Sequence, residues 1–525
     1  MTSFTALLRA SAKRHHDRVC LRDGDTVLTY RQVFDRAGRF AGTLRHLGVR
    51  PGDPVMVSMG VSWQSVIVVL GSLLASAAVA PTNPAARRRE LMHWGRLVQP
   101  VAIVAAPAPM AELLGGDGTG ELTRLRGLVT GSDGGGDSDL GTDLATGVSR
   151  DPMGAAVDPP PSSPALIMFT SGTTGLSKGV TRNHATLVGF LDHWQRRVVR
   201  PDDVVLNFLP LNHQAGLLLS VLGPMCLGAE VALLPRFGVE EFWRSVVDNR
   251  VTWTVTMPPV PGLLVAADAP PARGAHRLRG TLGAGPAPAW RDFEDAFDVG
   301  MVTGYGSTES TMVTMSGTGR ASGALLAPDR GGSFCGAPLP GWTRVRVSRP
   351  DGGSAGAGEP GEIQLRGGGL FSEYWNNPEA TARAFTEDGW FRSGDLGYRG
   401  DGGELYLLGR ADDRIRRNGE NIDPVEIETV LREHPAVADA GLTGIPDEHR
   451  GAEILACVVP RDGAQVSAEE LVEFCRGQLS SFKVPRFVQF RTELPKTDGT
   501  FRIQRAVLRE QADPSRWYDR FAERA

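Results

Sequence analysis

ALIMFTSGTTGLSKGV, residues Ala165 to Val180, is the stretch on which the reading of this chain turns. Leu166 to Phe169 is a short apolar run bounded by turn residues, the pattern of a buried strand. It feeds a loop of Thr170, Ser171, Gly172, Thr173, Thr174, Gly175, Ser177, Lys178 and Gly179. That composition holds phosphate: glycines let backbone N–H groups turn toward an anion, Ser and Thr hydroxyls add donors, and Lys178 adds charge. A Walker loop, G-x-x-x-x-G-K-[ST], is excluded because Gly179, not a hydroxyl residue, follows Lys178. An ordinary surface loop seldom follows a buried strand with so dense a donor set.

Outward from this stretch, 525 residues are too many for one core, so two or more domains are expected. Hydrophobic content of 41% and charged content of 22% are those of a globular protein, and a net charge of -4 points to neither nucleic acid nor an anionic membrane surface. Cys20, Cys226, Cys335, Cys457 and Cys475 lie far apart and form neither a disulfide framework nor a zinc pattern, which favours a reducing cytoplasm. The N-terminus lacks the apolar region of a secretory signal, and the most apolar run, Val66 to Ala80, is short for a bilayer span and ends at Pro81. Oligomeric state leaves no mark in the sequence.

Tyr30 to Leu47 has helical periodicity, Val55 to Met59 reads as a strand and Trp63 to Ala80 as a helix, which together predict an α/β fold with a largely parallel sheet. Gly115 to Pro164, rich in Gly, Asp, Ser and Pro, is expected to be an exposed, mobile connection. Beyond the loop, His184 to Arg197 reads as a helix and Val204 to Leu211 as a strand leading into Asn212, His213 and Gln214. Val251 to Met257 and Leu278 to Leu282 read as strands, the second ending in Gly283, Ala284, Gly285 and Pro286, small residues on which a planar ligand can lie. Pro424 to Glu433, Val437 to Pro446, Ala452 to Pro460, Ser467 to Leu479 and Val488 to Arg491 predict a small α+β unit.

TSGTTGLSKG closely resembles the phosphate loop of the adenylate-forming superfamily, which contains acyl-CoA synthetases, peptide-synthetase adenylation domains and luciferases. Gly304-Tyr305-Gly306-Ser307-Thr308-Glu309 is similar to that family's YG-x-TE motif, and Trp390 to Gly397 and Gly409 to Ile415 follow in the family's order. The resemblance implies ATP and Mg²⁺. Lys178 and the loop would hold phosphates, Tyr305 would offer adenine a flat face between Gly304 and Gly306, Thr308 would meet the α-phosphate, and Glu309 would ligate Mg²⁺. Asp395 matches the ribose-binding carboxylate and Arg410 a second ribose or phosphate contact. His213, in PLNHQAGL, matches a segment bordering the acyl pocket, though a histidine there also fits a helix cap. Tyr374-Trp375-Asn376-Asn377-Pro378 reads as packing and turn structure. The implied architecture is a large multi-sheet α/β domain over 1–410 and a small mobile α+β domain over 411–525, hinged near Asp412.

The pattern breaks at the last motif, which in relatives reads PKT-x-x-GK and ends in a catalytic lysine. Here Leu494 to Arg505 reads LPKTDGTFRIQR, so Arg502 stands where that lysine belongs, after a loop one residue longer. Arginine can bind phosphate oxygens as a permanently charged fork. Lys496, one of only four lysines (Lys13, Lys178, Lys483 and Lys496), is a second candidate. An unusual acid is a third explanation. The function implied is adenylation of an acid with release of pyrophosphate, then transfer to a nucleophile. Coenzyme A is expected, as no carrier domain follows Ala525. Adenylation of an oxyacid such as nitrite with an aromatic amine as acceptor is the alternative, and a nucleotide-binding scaffold without turnover is a further one.

Overall fold

The computed structural model describes residues 2–114, 121–130, 158–170, 177–257, 260–267, 271, 274–283, 287–317, 332–410, 413, 415–417, 420–422, 424–447, 450–479, 481–497 and 503–522. Two seven-stranded sheets carry the first part of the chain. In one, the order is Glu373–Tyr374, Gly179–Asn183, Pro164–Phe169, Ala78–Pro81, Pro54–Ser58, Ala102–Ala105 and Gly127–Thr130. Its last five strands run parallel, while Gly179–Asn183 turns back antiparallel to Pro164–Phe169. The other sheet runs Gly300–Val302, Gly280–Leu282, Trp253–Val255, Val204–Asn207, Glu230–Leu233, Val19–Asp23 and Thr26–Thr29, parallel except for its final hairpin.

The helices that join them begin where the sequence supplies caps. Thr29 accepts from the Gln32 amide, and the Gln32 side chain accepts from the Thr29 amide, a capping box that starts Tyr30–His46. Ser62 caps Trp63–Leu74, a largely apolar helix that is buried from Gln64 onward. The two helices approach so closely that a Cβ on Gly71 would lie 2.7 Å from the Ala37 carbonyl. One hydrophobic core links both sheets to these helices, with Val57 and Val104 from the first sheet, Val205 and Val231 from the second, and Phe40 and Leu70 between.

Two expectations are corrected. The helix expected from Trp63 to Ala80 stops at Leu74; Ser76 takes a left-handed φ of 61°, and Ala78–Pro81 leaves as a strand beside Pro164–Phe169. An apolar run does not distinguish a buried helix from the buried strand that continues it. Within the expected connection 115–164, Gly127–Thr130 pairs in parallel with Ala102–Ala105, because Leu128 and Val129 extend the sheet edge. The rest of that connection over 115–120 and 131–157 lies outside the described residues.

A third, antiparallel sheet follows in the order Ser333–Phe334, Leu405–Arg410, Phe391–Arg399, Gly361–Gly367 and Thr343–Ser348, and its register sets Asp395 opposite Arg410. The chain ends in a smaller α+β unit. Helices Pro424–Glu433 and Ala468–Gln478 pack with a sheet of Val437–Asp447, Gly451–Pro460, Phe487–Phe490 and Tyr518–Asp519. Its core, including Ile427, Leu431, Leu442, Ile454, Val458 and Leu471, shares no residue with the cores of the larger part. This is the large α/β and small α+β division expected. Asp412 lies outside the described residues, so the hinge and the boundary at 410 stand as proposals. Among the described residues no helix is long and apolar enough to cross a membrane, and all five cysteines are free thiols.

Candidate active site

The turn-back of Gly179–Asn183 along Pro164–Phe169 closes the phosphate-type loop on itself. The Thr170 amide donates to the Lys178 carbonyl at 3.1 Å, and the Lys178 amide to the Thr170 hydroxyl at 3.3 Å. Ser171, Gly172, Thr173, Thr174 and Gly175 lie outside the described residues. Lys178 is exposed, with its Nζ 4.6 Å from the centre of the Tyr374 ring, a cation–π contact. Tyr374 reaches this position because it pairs with Val180 on the sheet edge, and its hydroxyl donates to Glu309 Oε1 at 2.9 Å. Burial, and next the Glu309 charge, push the Tyr374 hydroxyl pKa well up. The segment expected to supply only packing and turns thus joins Lys178 to Glu309. No local signal marks it, since Tyr374 is remote from both in sequence.

Thr308 and Glu309 sit on a tight loop in which Ser307 and Ser310 exchange backbone hydrogen bonds of 3.1 and 3.2 Å, reinforced by their hydroxyls. The Phe371 amide holds the Glu309 carbonyl at 2.7 Å. A second residue absent from the motif reading is Arg182, 2% exposed, whose guanidinium donates to the carbonyls of Thr308 at 2.6 Å, Gly369 at 3.0 Å and Ser307 at 3.5 Å. Burial pushes its pKa down to about 9 while Glu309 acts in the opposite sense, so it keeps its proton at neutral pH. Gln214 Nε2 also donates to the Ser307 carbonyl, at 2.9 Å. Its neighbour His213 is half-buried, and its backbone carbonyl accepts from the Leu217 amide at 2.9 Å as the following helical segment begins.

Asp395 is braced from two sides. The Tyr305 hydroxyl donates to Oδ2 at 2.6 Å, and Arg410 Nη1 donates to Oδ1 and to the Ser393 carbonyl, both at 3.1 Å. Burial would lower the Arg410 pKa, but the Asp395 charge holds it above the usual value. Burial, then Asp395, raise that of Tyr305. The Tyr305 ring is 4% exposed, so its face is covered in this arrangement and its visible task is to orient Asp395. Gly304 and Gly306 serve close packing here: a Cβ on either would lie 2.4 Å from the Thr314 carbonyl or 2.8 Å from the Thr311 carbonyl. Gly283 is equally tight against Met301, while Ala284, Gly285 and Pro286 lie outside the described residues.

The two candidates for the missing lysine separate. Lys496 makes an ion pair with Asp439 at 2.5 Å, and Arg432 holds the same carboxylate at 2.9 Å. Burial pushes the Asp439 carboxyl up, but Arg432 and Lys496 together pull it below its usual range. Arg502 lies outside the described residues.

The side chains fit the groups they would hold. Asp395 accepts one hydrogen bond at each oxygen, and an ionised carboxylate has about four acceptor positions, which suits a ribose diol. Glu309 Oε1 is engaged by Tyr374, and among the described residues no cluster of three or more His, Cys, Asp or Glu side chains forms a metal cage. A lone carboxylate suits Mg²⁺, which keeps its waters and takes further oxygens from substrate phosphates.

The Lys178, Tyr374 and Glu309 cluster and the braced Asp395, on a large α/β part followed by a small α+β unit, have the make-up of an ATP-dependent ligase. Residues 8–375 match the AMP-binding enzyme family, and residues 426–499 match the AMP-binding enzyme C-terminal domain. The chain belongs to the AMP-binding enzyme family. It is 32% identical over 523 residues to a sulfoacetate–CoA ligase of Cupriavidus necator, covering 97% of this chain and 98% of that one. It is 32% identical over 502 residues to a long-chain-fatty-acid–CoA ligase of Mycobacterium tuberculosis, covering 93% of each. The crystal structure of ATP-bound MatB from Rhodopseudomonas palustris superimposes with a TM-score of 0.84 at 26% identity, over 96% of this chain and 98% of that one.

Proposed function

We propose that this chain activates a carboxylic acid as its adenylate and transfers the acyl group to coenzyme A, with Lys178, Thr308, Glu309, Asp395 and Arg410 as the working residues. The convergence of Lys178, Tyr374 and Glu309 carries this reading, because it sets a phosphate cation and a metal carboxylate on one aromatic side chain. Asp395, held by Tyr305 and Arg410, accepts the ribose hydroxyls and so fixes the nucleoside. Lys178 meets the negative charge that grows on the phosphates as the acid oxygen attacks the α-phosphorus in line and pyrophosphate departs. Mg²⁺, when bound by Glu309, supplies further positive charge to the departing pyrophosphate. Arg502 takes the place of the final-motif lysine. Rotation near Asp412 then brings the thiol of coenzyme A to the acyl carbon and AMP leaves.

His213 and Gln214 form the acid-side edge of the site. The relatives act on acids as unlike as sulfoacetate and long-chain fatty acids, so the acid is to be found by screening. The nitrite and scaffold alternatives gain no support, since these relatives are CoA ligases. A cytoplasmic setting belongs to the proposal and rests on five free thiols, four of them buried. The test is product analysis after incubation with MgATP and a panel of acids, with and without coenzyme A. AMP, pyrophosphate and a new acyl-CoA mass are expected together; failure of every acid to release pyrophosphate, or product formation indifferent to coenzyme A, would refute the reading.

A further inference from the structure

Arg182 is a buried cation that the steps above do not use. It lies on Gly179–Asn183, the strand that leaves Lys178, in register with Leu166 of the strand that enters the phosphate-type loop. Among the described residues its acceptors are carbonyls, those of Thr308, Gly369 and Ser307, with no carboxylate in hydrogen-bond contact. A charge withdrawn from water without a paired carboxylate is costly, and an apolar side chain of similar length would fill the same space more cheaply. The guanidinium must therefore do something that packing alone does not. Its fork spans two separate segments: one holds Thr308 and leads into Glu309, and the other, through Phe371 and Tyr374, holds Glu309 again at its carbonyl and its carboxylate. Gln214 braces the same Ser307 carbonyl from the acid side.

We infer that Arg182 is a positioning residue for adenylation: by clamping the carbonyls of Thr308, Ser307 and Gly369 to the strand that begins after Lys178, it fixes where Thr308 and Glu309 stand relative to that lysine. The inference rests on the adenylation reading above. It makes the clamp part of the catalytic geometry, because small displacements of groups around a reacting phosphate cost large factors in rate.

The test compares Arg182→Met, which keeps bulk and removes charge and donors, with Arg182→Lys, which keeps the charge without the fork. Hydrogen–deuterium exchange is measured alongside steady-state pyrophosphate release. For Arg182→Met, amides 305–313 and 367–371 should exchange on the order of tenfold faster while the small C-terminal unit keeps its protection. The turnover number should fall about 100-fold with the KM for MgATP rising by no more than about threefold, since Arg410 still holds Asp395. Arg182→Lys should recover part of both losses. If Arg182→Met does not fold, Arg182→Lys and Gln214→Leu decide, the latter with faster exchange at 305–310 and a roughly tenfold loss of turnover. Wild-type exchange in the loop with turnover within about twofold overturns the clamp, as does exchange that rises equally throughout the chain. Because exchange is read without turnover, a wild-type protein that activates no acid would sink the ligase reading while leaving the clamp measurable.

Discussion

The ribose corner and the final motif hold their charged groups in opposite ways. Asp395 is gripped by Tyr305 and Arg410, yet each of its oxygens keeps acceptor capacity, so the grip orients the group without using it up. Lys496 sits in the small unit with its charge committed to Asp439, which Arg432 also holds. A side chain braced by neighbours that leave its chemistry free is prepared for a ligand. One whose charge is committed to a carboxylate that a second cation also holds is part of the scaffold. By this measure Lys496 is structural in the arrangement seen, which favours the proposal that Arg502 takes the task of the missing lysine.

The sharpest way to break this contrast is to exchange the two candidates. Arg502→Ala should lower adenylate formation by about 100-fold or more, while thiol transfer from supplied acyl-adenylate stays within about threefold, as measured by separate half-reaction assays. Lys496→Ala should instead leave adenylation within about threefold and cost about 1 kcal/mol of stability in denaturant unfolding, through the lost Asp439 pair. A Lys496 variant that loses adenylation and an Arg502 variant that keeps it would reverse the assignment.

Glu309→Gln comes next. Removing one carboxylate charge should lower turnover about 100-fold and move the Mg²⁺ dependence to higher concentration, with the fold intact by circular dichroism. Turnover that ignores the change would take Glu309 out of the site. The smallest effect belongs to Tyr374→Phe, which keeps the ring beneath Lys178 and removes the hydroxyl from Glu309. About 1.5 kcal/mol is at stake, roughly tenfold in kcat/KM for MgATP. A loss as large as that of Glu309→Gln would mean that the hydroxyl touches substrate directly.

Much of this was legible in the chain because the phosphate loop, the YG-x-TE segment and the Ser-Gly-Asp string each carry their chemistry in contiguous residues. The strands around the loop were equally readable, since Leu166 to Phe169 is apolar and ends at turn residues. The end of the helix at Leu74 was not, because Val66 to Ala80 is apolar or small apart from Ser72 and Ser76, and the left-handed Ser76 has no marker of its own. Arg182 and Tyr374 were missed for a different reason. Each acts through a partner more than sixty residues away, with |i−j| of 126 for Arg182 to Thr308 and 65 for Tyr374 to Glu309, and only the sheet register brings those segments together.

The Ser307 carbonyl, shared by Arg182 and Gln214, also bears on how such a protein could be redesigned. A single peptide oxygen joins the proposed acid-side edge to the loop that presents Thr308 and Glu309. Substitutions at Gln214 aimed at a new acid would therefore also disturb the nucleotide side, and selectivity and speed at that position would have to be optimised together.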